Sequence, residues 1–228
     1  MARRPPLPRL SVDLVGESAP VARLADYVWA GAAPDLALHA NTDHTRTLVR
    51  TRLLGGGDAG VRWVEALELD EEPDEDGVLP CVTTRFDLGP THFAETGRWR
   101  PGEDTNLHRR AMVLPAELRV GERLLPVAGA GLTLEWCGLA ELVVGGAPEV
   151  LRVMRLRVEQ GGVRLHQWLG EGVGELALGA ADGPFTRWIL AWEGGGARRF
   201  GALDPSLRAA AFPEPDLERD GAPFRAGP

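Results

Sequence analysis

The chain has 228 residues, of which 44% are hydrophobic, with a formal net charge of −8 and a sequence pI of about 5.2. This length suits one large β domain or two small ones, with enough apolar residues for a sizeable core. The acidic balance excludes a general nucleic-acid binder and disfavours an anionic membrane surface, because both need a surplus of basic groups. No apolar run approaches the ~20 residues of a membrane-spanning helix, so no integral membrane segment is expected.

Both ends of the chain differ in composition from its middle. The opening MARRPPLPRL is basic and proline-rich with no apolar h-region after it, which predicts a disordered lead-in over residues 1–9 and a cytoplasmic, non-secreted chain. Residues 204–228 are rich in proline, alanine and charge, and they predict a mobile tail with one helical turn at Ser206–Ala210. A single β domain is expected between them, over residues 10–203.

The first predicted elements of the domain are a short strand at Leu10–Val15 and a helix. Ser18 is a plausible N-cap, and apolar residues follow it at the spacing of one helix face, which predicts a minor helix near Val21–Val28. Gly31 and Pro34 would end it.

Alternating apolar and polar residues then predict a run of strands in the first half of the chain. They are Thr45–Leu54, Val61–Leu69, Val82–Leu88 and Thr91–Gly97. The first two form the clearest long hairpin, across a glycine-rich turn at Gly55–Asp58. The polar stretch Arg98–Arg110 has neither the helix nor the strand period, and it predicts a long surface connection that divides the sheet.

The second half is predicted to continue as strands separated by glycine turns. They are Leu132–Val144 with a bulge at Gly138, Val150–Glu159, Val163–Leu169, a return strand after Gly170, Gly172 and Gly174, and Phe185–Trp192. In the last strand, Trp188 and Trp192 are expected on one face and Phe185 and Ile189 on the other. The pattern predicts an all-β, mainly antiparallel fold: a meandering curved sheet or a partly closed β-barrel with one minor helix.

The segment Ala111–Leu178 carries a resemblance to a known family. Leu114-Pro115 followed by Leu118, Val120 and Gly121, then PEVLRVMRLRV and HQWLGEGVGELAL, resembles a family of bacterial β-rich proteins of unknown function, many of them envelope-associated. The sequence departs from that pattern at Glu175, where the family usually has an apolar residue. The resemblance implies a β-rich fold and an association with the cell envelope, and it implies no activity.

Polar clusters that imitate metal sites have simpler interpretations. His39 and His44 beside Asp43 lack zinc-type spacing and a third ligand, so a solvated loop is expected. The acidic run Asp70–Asp76 contains Pro73 and lacks the ligand spacing of a calcium loop. The cysteines, Cys81 and Cys137, are predicted to be free core thiols, and no metal or cofactor is expected.

Catalytic motifs are not found in the sequence. No serine lies in a glycine-flanked elbow, and neither glycine-rich turn has the lysine that phosphate binding needs. A hydrolase using His92, His108 or His166 is the least favoured hypothesis, and no catalytic residue is assigned.

Aromatic residues give the remaining functional signal. Trp63, Trp136 and Trp168 fall in strands expected to be neighbours, with Trp188 and Trp192 on the next, and His166 shares the face of Trp168. Tryptophans on one concave face can line a pocket, so the first hypothesis is a non-enzymatic protein that binds a hydrophobic or amphipathic small molecule. The alternative is a structural or interaction module with a solid aromatic core, whose acidic surface or exposed edge meets a protein partner.

Overall fold

A computed structural model describes residues 9–11, 21–28, 35–54, 60–103, 106–119, 121–124, 133–143, 150–180, 184–194 and 199–213. In these residues the chain forms sixteen strands and two short helices. The strands are β1 (Arg9–Ser11), β2 (Val21–Arg23), β3 (Asp35–Asn41), β4 (Arg46–Leu54), β5 (Gly60–Glu68), β6 (Cys81–Leu88), β7 (His92–Trp99), β8 (Asn106–Pro115), β9 (Glu117–Arg119), β10 (Arg123–Leu124), β11 (Thr133–Val143), β12 (Val150–Gln160), β13 (Val163–Gly170), β14 (Gly174–Gly179), β15 (Phe185–Glu193) and β16 (Arg199–Phe200). The helices are α1 (Leu24–Val28) and α2 (Pro205–Arg208).

The strands build one large antiparallel sheet from two meanders. The strand order is β1-β11-β12-β13-β14-β15-β3-β4-β5-β6-β7-β8, with β10 beside β11 and β16 beside β15. The pairing of β15 with β3 joins the C-terminal meander to the N-terminal one, while β2 and β9 form a separate two-stranded sheet. The prediction of an all-β, mainly antiparallel fold with a minor helix is confirmed.

The large sheet is curved, and it does not close into a barrel. Among the described strands, β8 ends the sheet on one side and β1 on the other, and the two do not pair. Curvature nevertheless brings distant strands together in one apolar cluster. It contains Phe93 and Leu114 from β7 and β8, and Met154, Leu156 and Leu169 from β12 and β13. The face that carries these residues is named the inner face, and the opposite one the outer face.

Residues 21–28 connect the β8–β9 side of the sheet to the turn between β13 and β14. The backbone N–H of Leu24 donates to the carbonyl oxygen of Ala116 (2.8 Å), and that of Gly172 donates to Asp26 (2.7 Å). Leu24 and Leu118 are both fully buried in the inner-face cluster. Residues Val21–Arg23, predicted to open the helix, are instead a strand, because their backbone groups pair with β9. The helix itself begins at Leu24.

Several turns and bulges match the sequence patterns. The β4–β5 hairpin and the β13–β14 hairpin are both present, and Gly172 and Gly174 have φ of 72° and 98°. The register of β11 against β12 shifts between Trp136 and Leu139, at the predicted interruption. Glycine supplies these backbone conformations because it lacks a Cβ.

Three further local predictions are wrong. Residues 98–110 are not a surface connection throughout, because β7 continues to Trp99, which pairs with Thr83, and β8 begins at Asn106. Backbone pairing holds these polar residues in strands without apolar alternation. Phe185 does not lie on the opposite face from the tryptophan of β13, because a register shift between β14 and β15 places its ring edge-on to Trp168, with 5.3 Å between centroids. Trp188 and Trp192 do not share a face, because a second shift, between Ile189 and Ala191, places Trp192 opposite Ala37.

The C-terminal segment packs against the outer face. Leu203 and Phe212 share a buried cluster with Leu38, Leu48 and Leu67. Helix α2 is capped by the Asp204 carboxylate, which accepts from the backbone N–H of Ser206 (2.9 Å). Residues 204–213 were expected in the mobile tail, and apolar burial instead fixes them on the sheet. The rest of that tail, and the predicted lead-in apart from Arg9, lie outside the described residues.

Candidate functional site

Trp168 and Trp188 are brought together on the outer face by strand register. Trp168 on β13 lies opposite Ala177 on β14, Ala177 lies opposite Trp188 on β15, and Trp188 lies opposite Ala40 on β3. Antiparallel partners share a face, and neighbouring strands are ~4.8 Å apart, so the two tryptophan backbones are separated by ~10 Å. The alanine between them is itself fully buried.

A third indole and two phenyl rings complete this group, which we name the tryptophan cluster. Its members are Trp168, Trp188, Trp192, Phe185 and Phe200. Trp168 is fully buried, Trp188 and Trp192 are nearly so, and the ring of Trp192 stacks on Phe200 with 5.8 Å between centroids. The register shift between Ile189 and Ala191 places Trp192 opposite Ala37, on the inner face, so the cluster includes aromatic side chains from both faces of β15.

The indole N–H groups of the tryptophan cluster lack acceptors. Within the described part of the chain, the Nε1 atoms of Trp168, Trp188 and Trp192 are buried and have no hydrogen-bond partner. An unsatisfied buried donor costs about 1–3 kcal/mol, and native proteins leave few of them. Two of these donors, those of Trp168 and Trp188, lie on the outer face, and the third, that of Trp192, lies on the inner face.

His166 lies at the edge of the tryptophan cluster. It is 7% exposed, and its ring centroid is 5.9 Å from that of Trp168. The alternation of β13 places both side chains on one face, as the sequence predicts. His166 also has a further interaction within the chain, so it is a partnered group beside the indoles.

Trp63 and Trp136 do not join the other predicted site residues. Trp63 on β5 is buried and lies opposite Arg52 on β4. Trp188 lies opposite Ala40 on β3, which in turn lies opposite Arg46 on β4, six residues from Arg52. Six residues of strand correspond to ~20 Å at ~3.3 Å per residue. The side chain of Trp136 lies outside the described residues. The expectation that their strands are neighbours is wrong, because β12 separates β11 from β13, and β3 and β4 separate β5 from β15.

The inner face carries a row of polar side chains that the sequence does not reveal, named here the polar band. It crosses six consecutive strands and consists of Gln167, Glu175, Arg187, His39, Asn41, Thr47 and Glu68. Gln167 donates to the Glu175 carboxylate (2.6 Å), and the Arg187 guanidinium lies 3.3 Å from it. Further along the band, the Thr47 hydroxyl donates to Glu68 (2.8 Å). The network makes part of the inner face hydrophilic beside its apolar cluster.

His39, expected in a solvated loop, is instead a buried member of the polar band. It is 2% exposed in β3, because the strand extends to Asn41 before the turn begins. Its Nε2 atom lies 2.9 Å from the carbonyl oxygen of Glu175. A carbonyl only accepts, so Nε2 carries the hydrogen and Nδ1 keeps a lone pair. Burial, with the Arg187 guanidinium nearby, lowers the pKa of His39 to about 4, and the ring is neutral at pH 7.

A buried carboxylate is also present on the outer face. The side chain of Glu65 is fully buried, and it accepts hydrogen bonds from Arg50 (2.9 Å) and Arg52 (2.7 Å). The guanidinium carbon of Arg50 lies 4.4 Å from the ring centroid of Phe212 in the C-terminal segment. A buried acid is thus matched by two basic groups, and one of these, Arg50, lies against an aromatic ring.

The loop that contains the acidic run Asp70–Asp76 forms one wall of an open cleft. The cleft has a volume of about 430 Å³, and its charged lining includes Glu71, Glu72, Asp74, Arg100 and Glu103. Asp74 is committed to the loop itself, since its carboxylate accepts from the backbone N–H groups of Asp76 (3.0 Å) and Val78 (2.8 Å). Over the described ranges, no three His, Cys, Asp or Glu side chains are grouped so as to hold a metal ion.

The histidines considered for catalysis are not assembled. His92 lies on β7 and His166 on β13, strands that are not paired with each other, and the side chain of His108 is outside the described residues. Cys81 is a free buried thiol, and burial raises its pKa to about 11. A thiol in this state is a poor nucleophile.

The comparisons with known proteins leave the family open. No family model matches the chain, and no curated protein or solved structure is significantly similar to it. None of the helices described here is both long and apolar enough to cross a bilayer. The arrangement of side chains is therefore the basis for a functional proposal.

Proposed function

We propose that this protein binds a hydrophobic or amphipathic small molecule at the tryptophan cluster. The observation that carries the proposal is the pair of buried indole N–H groups on the outer face, those of Trp168 and Trp188, with no acceptor within the described residues. Indole faces favour contact with apolar groups, and indole N–H groups only donate hydrogen bonds. A ligand with an apolar body and an acceptor oxygen would provide both interactions.

The strand register supports a position for the ligand. The small side chains of Ala177 and Ala40 alternate with Trp168 and Trp188 along one row of the outer face. An apolar group over Ala177 would contact an indole on either side. His166, beside Trp168, would lie at one edge of the bound molecule. The likeness of residues 111–178 to bacterial envelope-associated β-rich proteins is compatible with such a ligand and is part of the proposal.

The first experiment is native mass spectrometry of the freshly purified full chain, which we expect to show a bound small molecule. After solvent extraction, binding of a neutral medium-chain ester such as methyl decanoate is followed by tryptophan fluorescence. A neutral ester tests the aromatic site without electrostatic attraction to arginine.

Trp188→Phe is the informative variant, because phenylalanine keeps an aromatic ring and removes the N–H donor. We expect affinity for the ester to fall about tenfold, the equivalent of one hydrogen bond of ~1.4 kcal/mol. Trp99→Phe, a buried tryptophan on distant β7, is the matched control and should bind like the unmodified protein. If the purified protein carries no ligand and the ester leaves fluorescence unchanged, the cluster is a solid core and the structural-module alternative is preferred.

A further inference from the structure

An arginine on strand β12 lies at the edge of the tryptophan cluster. Arg155 is directly opposite Trp168 on β13, and partners in an antiparallel pair share a face of the sheet. Arg155 therefore extends the outer-face row of Trp168 and Trp188 by one strand. From Arg155 to Trp188 the row crosses three strand spacings, or ~14 Å at ~4.8 Å each.

Arg155 is the unmatched cation of this part of the outer face. Its side chain is half-buried, its Nε atom is fully buried, and within the described residues it forms no hydrogen bond, ion pair or ring contact. The next arginine along β12 on this face, Arg157, pairs with Glu135. On β13, Arg164 pairs with Glu159 at 3.4 Å. The carboxylates of these two rows are thus engaged by other arginines.

The chemistry of Arg155 specifies the group that would bind there. A guanidinium only donates hydrogen bonds, and a cation that is partly removed from water is stabilised by a nearby anion. Its planar fork fits the two oxygens of a carboxylate, which can accept two parallel hydrogen bonds. A carboxylate carries one negative charge and balances a single arginine, whereas a phosphate monoester carries up to two.

We propose that the small molecule bound at the tryptophan cluster is an amphipathic carboxylate whose head group binds Arg155. This inference rests on the proposed function and adds the charge and the position of the polar end of the ligand. The carboxylate accepts from Arg155 at the more exposed end of the row, and the apolar tail lies along the indoles of Trp168 and Trp188. A medium-chain fatty acid has a length comparable to that of the row.

The experiment compares decanoate with methyl decanoate, using the solvent-extracted full chain and its tryptophan fluorescence at pH 8, where a carboxylic acid is ionised. The two ligands share an apolar tail and differ in the charge of the head group. Arg155→Gln removes the guanidinium and keeps a polar side chain. Arg164→Gln is the matched control, because it removes an exposed arginine of the same face that is already paired. Circular dichroism checks that each variant is folded.

We expect the unmodified protein and Arg164→Gln to bind decanoate at least tenfold more tightly than the ester, because hydrogen bonds between charged groups are stronger than neutral ones. Arg155→Gln should bind the two ligands about equally. Equal affinities in the unmodified protein, a comparison that needs no variant, overturn this inference and leave the proposed function standing. So does a preference for decanoate that survives Arg155→Gln. If neither ligand changes the fluorescence, the proposed function fails and this inference fails with it.

Discussion

The backbone N–H of Gly172 donates a 2.7 Å hydrogen bond to the carbonyl oxygen of Asp26, and this bond joins the β13–β14 turn to α1. Gly172 has φ of 72°, a conformation that presents its N–H to the helix and that L-residues rarely adopt. The turn thus has two functions, reversing the chain and holding the N-terminal segment whose strand β2 pairs with β9.

The first prediction concerns substitutions in this turn. Gly172→Val and Gly174→Val should each lower the free energy of unfolding by about 1–3 kcal/mol, because a β-branched residue is strained at positive φ. Leu176→Ala should cost about 2–4 kcal/mol, since the side chain is fully buried. Glu171→Ala, at an exposed neighbour, should have little effect. Urea unfolding measures all four, and equal midpoints for the whole set would mean that the turn is peripheral to stability.

The second prediction concerns the buried carboxylate of Glu65. Glu65→Gln should lower the free energy of unfolding by about 3 kcal/mol, because it removes the charge that balances Arg50 and Arg52. Asp70→Asn is the matched control, since Asp70 also pairs with a β4 arginine, Arg46, but in an exposed pair. Exposed pairs contribute about 0–1 kcal/mol, so the control should be nearly neutral. Denaturant midpoints that fall equally in both variants would contradict this difference.

The third prediction is a pH dependence caused by His39. Its pKa is about 4 in the folded protein against 6.5 for an unperturbed histidine, so between these values the unfolded chain binds more protons. Stability from the neutral ring is complete above pH 6.5 and is lost as the pH falls toward 4. The loss amounts to about 3 kcal/mol at most, at 1.36 kcal/mol per pKa unit.

His39→Gln, which stays neutral, removes this dependence. We expect the unmodified protein to lose more stability than the variant when urea unfolding is repeated between pH 7 and pH 4. The carboxylates of the polar band, Glu175 and Glu68, are present in both proteins, so the comparison isolates the imidazole. Parallel stability curves for the two proteins would show that His39 is not responsible.

Local patterns in the sequence predict the hairpins. They do not predict which strands pair when those strands are far apart in the chain. Glycine and alternation located the β4–β5 and β13–β14 hairpins, because a tight turn and its flanking strands are adjacent in the chain. The β15–β3 pairing joins residues about 150 positions apart, and no local signal specifies it. One-residue register shifts, such as the one beside Phe185, then change which side chains share a face.

The candidate sites show the same limit. Aromatic content indicated Trp168 and Trp188, but the register alone shows that Trp63 is remote from them. His39 lies two residues before a polar turn and resembles a loop residue, yet the strand continues past it. Acceptors for indole N–H groups, and the partners of Glu65, depend on which strands are adjacent, so they are visible only in the folded chain.

The last prediction concerns the C-terminal segment and the thiol beneath it. Cys81 is 2% exposed and shares a cluster with Leu203 and Phe212. Burial raises the pKa of the thiol to about 11, so at pH 8 it is protonated and reacts slowly with disulfide reagents. If residues 199–213 cover this part of the sheet, loosening them should expose Cys81 and increase its rate of modification.

Phe212→Ala removes a ring that packs both on the cluster and on the Arg50 guanidinium, and a buried phenylalanine contributes about 3–5 kcal/mol. We expect the modification of Cys81 by 5,5′-dithiobis(2-nitrobenzoate) to accelerate at least tenfold at pH 8, in a Cys137→Ser background that leaves one thiol. Ala211→Ser changes an exposed neighbour and should leave the rate unchanged. Circular dichroism distinguishes release of the segment from global unfolding, because release preserves the β-sheet signal. If Phe212→Ala leaves the modification rate as slow as in the unmodified protein, the sheet itself protects the thiol and the segment does not cover it.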